Sequence, residues 1–397
     1  MRESIEYDLL KSKEKALQYN EICHAVEQHK KEQKSSAVHP TKRIGYAVVG
    51  LGKLSLEQIL PALSTCNYSR LTALVSGDAD KARKVASQYG IAESSVYNYQ
   101  NFDEIINNKD IDAVYIVLPN SMHHEFTIRA AKAGKHVLCE KPMANSVQEC
   151  EEMIKACKEA GRKLMIAYRI QYEGYNALAK QWTRDEKFGK VKVIEAYNGQ
   201  SIPDANHWRV KKNLAGGGAL PDIGIYCLNT IRFLLGEEPT SVFATTYSTP
   251  HDARFKEVEE SMLFQMTFPS GTLAMCSTSY GTQASRNYRV YAEKGNYGLD
   301  PAFSYSGLKM HTVTQDGQIE LKQMPTMVEQ NQFALEMDHF SESIACGKQP
   351  YTAGEEGLQD MRIIEALYQS AYEKRMIKLE HLNGKDLFRG HEPLKNV

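Results

Sequence analysis

The sequence predicts an α/β chain: a doubly wound parallel sheet first, then an α+β domain with a large, mostly antiparallel open sheet. Three observations lead there. Between Arg43 and Ala167, apolar runs of strand length alternate with helical stretches, the order that builds a parallel sheet with helices on both faces. The first run, Ile44 to Val49, ends in Gly50-Leu51-Gly52, a turn that lets the backbone approach a phosphate at a helix N-terminus. After Tyr168, strand-like segments crowd together with short turn-rich spacers, which favours antiparallel pairing.

The elements follow in order. Residues 1–42 form a separate arm, rich in Lys, Glu, Gln and Ala from Tyr7 to Lys34. Leu9, Leu10, Leu17, Ile22 and Val26 are spaced through it as in an amphipathic helix, which Ser35-Ser36 and Pro40 bring to an end. Such an arm packs on the body, joins subunits or frays. Domain 43–167 opens with the first strand and its glycine turn, then a helix over Ile59 to Leu63. Leu71 to Val75 is the second strand, and Ala79 to Tyr89 a helix that Asp78 suits as a cap. Ala113 to Leu118 is a buried strand halted by Pro119-Asn120, with a helix over His124 to Ala133 behind it. His136 to Cys139, a helix over Val147 to Ala160, and Lys163 to Ala167 complete the sheet. Domain 168–397 has helices over Asn176 to Arg184 and Ile223 to Leu235. Five strands follow one another at Val191 to Tyr197, Ser241 to Ser248, Ser261 to Phe268, Thr272 to Ser279 and Asn287 to Ala292. Helices return at Phe333 to Ile344 and Gly357 to Tyr372.

Bulk properties exclude several functions. A length of 397 residues suits two domains, and a formal net charge of -1 supplies no basic field for nucleic acid. No apolar run approaches the ~20 residues that span a bilayer. The first residues lack a signal-peptide profile, so no membrane is expected and the cytoplasm is the default compartment. The eight cysteines include no Cys-x-x-Cys pair, and Cys150 and Cys157 suit helix packing. His123 and His124 are adjacent and cannot share one face as two ligands, so no metal site is expected.

Three motifs carry chemistry. The glycine turn, with strand before and helix after, fits a dinucleotide, although Ser55 stands where a third glycine is usual. Lys53 adds a charge that phosphates would attract. At the end of the second strand, Ser76-Gly77 and then Lys81 suit a 2′-phosphate and therefore NADP. Asp78 keeps NAD open, since its carboxylate either caps the helix or takes the ribose. Glu140-Lys141-Pro142 follows a strand, which places Lys141 at the ligand-binding edge, where an ammonium can hold a substrate hydroxyl or stabilise a tyrosinate. Asp222 and Tyr226 are four apart on one helical face after the flexible run Gly216-Gly217-Gly218. Lysine plus tyrosine can move a proton as hydride leaves a carbinol.

These residues as a set resemble the Gfo/Idh/MocA oxidoreductases, and the glucose–fructose oxidoreductase branch in particular. The likeness covers about residues 43 to 378 and includes Leu118-Pro119-Asn120, Trp208-Arg209, Asp222-Ile223-Gly224-Ile225-Tyr226, Asn331-Gln332-Phe333 and Gly354-Glu355-Glu356-Gly357. The resemblance implies a Rossmann domain, a C-terminal domain whose open sheet mediates oligomerisation, and a homodimer or homotetramer. It implies catalysis by Lys141, Asp222 and Tyr226, the tyrosine standing where many relatives have histidine. The implied cofactor contacts are Gly50, Leu51, Gly52, Lys53, Leu54, Ser76, Gly77, Lys81, Tyr99, Leu118, Pro119, Asn120, His123, Glu140, Lys141 and Arg169, with Trp208 and Arg209 at the nicotinamide end. The branch's namesake has a proline-rich arm that clamps its NADP, and this chain departs from it: the arm here is helical in pattern and nearly proline-free.

The expected function is hydride transfer between NADP, or NAD, and a sugar or cyclic polyol, with Tyr226 exchanging the proton and Asp222 positioning substrate. Two alternatives stand beside it: a glucose–fructose oxidoreductase that retains NADP, and a non-catalytic NADP sensor on the same fold. A sensor has no need of a proton relay. Pocket shape is expected to depend on loops around Tyr172, Trp208 and Tyr280.

Overall fold

A computed structural model describes residues 14–28 and 42–393. The ends of the arm helix expected over Tyr7 to Lys34 lie outside them; its described part is helical over 14–28 (α1).

The first sheet contains β1 (Ile44–Val49), β2 (Ser69–Val75), β3 (Val96–Tyr97), β4 (Ala113–Ile116), β5 (His136–Glu140) and β6 (Leu164–Ala167), in the order β3-β2-β1-β4-β5-β6. All its pairings are parallel. The order reverses between β1 and β4, and the crevice at such a switch point is where α/β sheets hold ligands. Helices α2 (Leu60–Leu63), α3 (Ala79–Tyr89), α4 (His123–Lys132) and α5 (Val147–Glu159) connect the strands. Local chemistry sets their ends. The Asp78 carboxylate accepts the Lys81 amide to start α3, and Gly90, left-handed at φ 66°, ends it. The first helix differs from expectation: a π-helical turn, Ser55–Ile59, precedes α2.

The second region holds α6 (Gly174–Arg184), β7 (Val191–Ser201), α7 (Lys212–Ala215), α8 (Ile225–Leu235), β8 (Ser241–Tyr247), β9 (Ser261–Thr267), β10 (Leu273–Ser279) and β11 (Gly281–Ala292). It continues with β12 (Gly295–Leu299), β13 (Met310–Asp316), β14 (Ile319–Gln323), α9 (Gln332–Ala345), α10 (Gly354–Glu373) and β15 (Ile377–Lys378). Its nine strands run β14-β13-β12-β11-β7-β10-β9-β8-β15 and pair antiparallel except β7 with β10. The strands β12 to β15 gave no separate signal in the sequence because they are short or polar. One sheet face packs on α8 and α10; the other exposes Leu263 (64%), Leu273 (52%) and Met275 (56%).

Two segments return to the first sheet. Phe333, Met337 and Phe340 of α9 share a core with Tyr46 and Val48 of β1, although the sequence groups α9 with the second region. Asp338 fixes that packing by accepting the amides of Asn67 and Tyr68 at 2.6 and 2.9 Å. The described part of the arm, α1, packs on the body. Ile22 and Val26 join the same core, and Tyr19 and Lys15 engage Asp112, which immediately precedes β4. That is the edge opposite the ligand crevice. A disulfide joins Cys23 to Cys346, just past α9, and the other six cysteines are buried as thiols. A sequence separation of 323 gives such a pair no local signature. Disulfides are rare in reducing compartments, so the bridge lends no support to the cytoplasmic default. No helix among the described residues is long and apolar enough to cross a membrane.

Candidate active site

The glycine turn needs its glycines for different reasons. Gly50 has φ 96°, and a Cβ there would lie 2.4 Å from the Val117 carbonyl oxygen. A Cβ on Gly52 would meet nothing within 4 Å, so the bare backbone faces open space at the crevice. This is the cradle a pyrophosphate requires. Ser55, in place of the third glycine, donates its hydroxyl to the Gly50 carbonyl at 2.6 Å and staples the turn. Leu51 is buried, Leu54 packs on the core that β1 shares with α9, and Lys53 extends into solvent near Glu57.

At the end of β2, Ser76 is buried and its hydroxyl accepts the Asp78 amide at 3.1 Å. Asp78 is the cap of α3 and lies 4.0 Å from the Lys81 ammonium. Its charge is therefore opposed by a helix N-terminus and a cation. Gly77 lies under the Tyr99 ring, 2.8 Å from where a Cβ would sit.

Beyond β4 two expected cofactor contacts do other work. The His123 ring is fully buried between the carbonyls of Leu118 and Pro142, 2.9 Å from each. It braces the backbone that a cofactor would meet. Asn120 is also buried and donates to the Ala215 carbonyl at 2.9 Å, joining the two regions. Leu118 is buried close to Gly50, while Pro119 keeps partial exposure.

Lys141 follows β5 and precedes Pro142 across a cis peptide. Its ammonium donates to the Asp222 carbonyl at 2.7 Å and carboxylate at 3.2 Å, and lies 5.0 Å from the centre of the Tyr226 ring. Burial pulls this lysine down, but Asp222 and Tyr226 outweigh it and leave it above its ordinary value. Asp222 belongs to a π-helical turn, Leu220–Gly224, that runs into α8. Its other carboxylate oxygen takes the Arg209 guanidinium at 2.8 Å and the Tyr280 hydroxyl at 2.7 Å. Burial would raise the Asp222 carboxyl; Arg209 and Lys141 instead hold it well below the usual carboxylate range. All of these contacts come from the protein itself, which leaves Asp222 little capacity to position a substrate directly. Tyr226 stays half-buried, one turn along the helix. The three expected catalytic residues therefore meet.

The glycine run before Asp222 is packed. A Cβ on Gly217 would lie 2.0 Å from the Tyr368 hydroxyl, and one on Gly218 2.0 Å from the Glu259 carbonyl. Glu259 accepts the amides of Gly218 and Leu220 at 2.9 and 3.0 Å. Arg169 is clamped as well, donating to Gln332 at 2.6 Å and to the Phe303 carbonyl at 2.7 Å. Its guanidinium covers Tyr226 at 4.9 Å and Tyr305 at 4.6 Å. Trp208 lies under Arg209 at 4.4 Å. Tyr280 is wholly buried on Asp222, and Tyr172 is buried against Thr352 and Met165, so neither shapes an open loop as expected.

Residues 44–168 match the oxidoreductase family with an NAD-binding Rossmann fold, and residues 176–298 match the C-terminal domain of the same family. The chain belongs to the Gfo/Idh/MocA oxidoreductase family. It is 31% identical to a D-xylose 1-dehydrogenase [NADP(+)] of Haloarcula marismortui over 85% of this chain and 93% of that one. A 1,5-anhydro-D-fructose reductase of Ensifer adhaerens is 25% identical over 84% and 98%. Among solved structures, the aldose-aldose oxidoreductase of Caulobacter crescentus, complexed with glycerol, superposes with a TM-score of 0.82 at 47% identity, covering 85% of this chain and 100% of that one.

In this Gfo/Idh/MocA chain, two supporting residues carried little sequence signal. Tyr115, which donates to Glu140, and Glu259, which holds the turn before Asp222, lie far apart in sequence, and only the fold brings them near the site. Among the described residues one cluster has metal-ligand composition: His339, Glu342 and His391 offer atoms within 4.8 Å of one another. The Tyr351 amide donates to His339 Nε2 at 2.9 Å, which puts the proton of a neutral ring on Nδ1. Nδ1 is the atom nearer Glu342, and a protonated nitrogen cannot ligate.

Proposed function

We propose that the enzyme oxidises the hydroxyl of an aldose or cyclic polyol, or reduces the corresponding carbonyl, with NADP(H). The observation that carries this reading is the Lys141 ammonium, held by Asp222 and set against Tyr226 at the carboxyl edge of the parallel sheet. The relatives named as sugar dehydrogenases and reductases support the substrate class.

Gly50, Leu51, Gly52 and Leu54 would hold the pyrophosphate, and Gly77 and Tyr99 the adenosine. Ser76 and Lys81 would take the 2′-phosphate, with Asp78 engaged as a cap. Lys53, Pro119 and the backbone braced by His123 and Asn120 complete that wall. When bound, the nicotinamide supplies the hydride acceptor or donor. The protein supplies the proton chemistry. In the oxidation direction the phenolate form of Tyr226, favoured electrostatically by the ammonium of Lys141, takes the hydroxyl proton of the sugar and becomes the neutral phenol as hydride leaves the carbinol carbon. Asp222 fixes Lys141 rather than the sugar, while Arg209 and Tyr280 fix Asp222. Arg169 and Glu140 position the floor beneath them, and Trp208 closes the nicotinamide end. The exposed face of the second sheet, with Leu263, Leu273 and Met275, is the surface through which a homodimer or homotetramer would form.

A panel of aldoses and cyclic polyols, offered with NADP+ and with NAD+ and followed at the reduced-nicotinamide absorbance, tests the reading. No turnover with any of them would overturn it. The 47% identity to an aldose-aldose oxidoreductase favours a second reading, in which the nucleotide stays bound and two sugars exchange hydride in turn. Nucleotide that survives extensive dialysis would select that form.

A further inference from the structure

Beneath the proposed proton relay, two buried carboxyl groups meet on one phenol. The Tyr115 hydroxyl lies 2.9 Å from Glu140 Oε1 and 3.4 Å from Glu336 Oε2. Glu336 comes from α9, the helix that returns to the first sheet, and is wholly buried. Its other oxygen is buried with no hydrogen-bond partner. Arg169 and Tyr172 are the other titratable groups close to it.

A proton count decides the state of this group. A phenol has one proton and can donate it once. The shorter contact assigns that proton to Glu140, whose second oxygen accepts the Lys141 amide at 3.3 Å. The contact to Glu336 then needs a proton from the Glu336 side. An ionised Glu336 would face a second carboxylate with one long contact and one unsatisfied oxygen, and burying such a charge is far more costly than burying the acid.

We propose that Glu336 is a positioning residue that acts as a neutral acid, donating its O–H to Tyr115 so that Tyr115 donates to Glu140 and holds the Glu140-Lys141 turn in place. Burial, reinforced by the charge of Glu140, pushes the Glu336 carboxyl well above the usual range, in the same direction. The proposal rests on the catalytic reading above and adds a charge argument to it. With Glu336 neutral, the cations Lys141, Arg169 and Arg209 outnumber the anions Glu140 and Asp222. A surplus positive charge favours a phenolate or alkoxide forming at Tyr226; an ionised Glu336 would cancel it.

Infrared difference spectroscopy of the intact protein tests this at about pH 8, where most buried carboxyls of modest shift are ionised. Wild type minus Glu336→Gln is expected to contain one protonated-carboxyl C=O band that moves on deuteration. Tyr115→Phe is expected to shift that band, because the acid loses its acceptor. Glu336→Gln should keep kcat within about twofold, its amide N–H replacing the acid O–H, whereas Glu336→Leu should lose about tenfold in kcat for want of a donor. No such band, or a loss of tenfold or more in the Gln variant, overturns the neutral acid. Full kcat in the Leu variant overturns the positioning role. Should the Gln variant fail to fold, an unshifted wild-type spectrum in Tyr115→Phe decides against the proposal. Wild type that shows the band but oxidises no sugar would defeat the catalytic reading, and the positioning role with it, and leave the neutral acid standing.

Discussion

Helix α8 has a buried ionic cluster at each end, and the two differ in what they leave open. At its start, Asp222 binds Lys141 and Arg209, but Tyr226 beside them stays half-buried and reachable. Two turns on, Arg232 is enclosed by Glu238, Glu356 and Asp360, with Arg389 from the C-terminal segment on Glu356 at 2.6 Å. Every charge there is met by another, and both arginine side chains are inaccessible. Buried charge is common to both clusters and identifies neither as a site. Chemistry needs one group beside the charges that is still free to exchange a proton with something from outside.

The comparison can be broken first at the open end. Tyr226→Phe removes the proton acceptor and keeps the ring, so kcat should fall by ~10²–10⁴-fold while melting temperature stays put. Lys141→Ala should cost a similar factor and the double variant much less than the product, because the two act as a unit. Near-wild-type turnover in Tyr226→Phe would remove this tyrosine from the chemistry.

At the closed end the effect should move from rate to stability. Arg232→Met strands Glu238 and Asp360 in the interior, Glu356 keeping Arg389, and should lower unfolding free energy by roughly 3–5 kcal/mol, with kcat per folded molecule retained. Denaturant titration with active-site counting separates the two. A selective loss of kcat would mean that the closed cluster also serves catalysis.

Lys81→Ala sharpens the comparison at a third, exposed charge. It should weaken NADP+ by about tenfold and leave NAD+ unchanged, the cost of one charge-assisted phosphate contact. Titration of both nucleotides into apoprotein checks it; tighter NAD+ than NADP+ in the unaltered protein would return Asp78 to the ribose.

The smallest effect lies in the acid limb of stability. Asp222 is depressed when folded, so its stabilisation is present above the unfolded carboxyl value of about 4 and is lost as pH falls below it. In the closed cluster, burial and the charge of Glu356 raise Asp360 when folded, so its contribution is present in acid and is lost as pH rises through that raised value. Denaturation curves between about pH 3 and 7 should lose slope in opposite senses in Asp222→Asn and Asp360→Asn.

Much of this was legible in one dimension. Strand–turn–helix grammar placed β1, β4, β5 and the glycine turn, because a buried parallel strand writes a continuous apolar run and a tight turn demands glycine. Asp78 as a cap, Lys141 at a strand end and Asp222 one turn from Tyr226 are likewise local facts, fixed by spacing along a few residues. They suffice to name a reaction class.

What they could not reach is the pairing of distant polar groups. That Asp222 spends its carboxylate on Lys141, Arg209 and Tyr280 follows from the turn Leu220–Gly224 packing on β10 and meeting Lys141 just past β5, not from its neighbours in sequence. His123 and Asn120 look like cofactor residues by position, yet buried polar atoms must find partners, and the fold offers them the Leu118, Pro142 and Ala215 carbonyls. Cys23 and Cys346, or Tyr115 and Glu336, meet only because α9 crosses back to the first sheet. Hydrophobic periodicity determines which elements form; which buried donor faces which buried acceptor is decided when the elements pack, since that choice depends on ångström distances that no sequence spacing encodes.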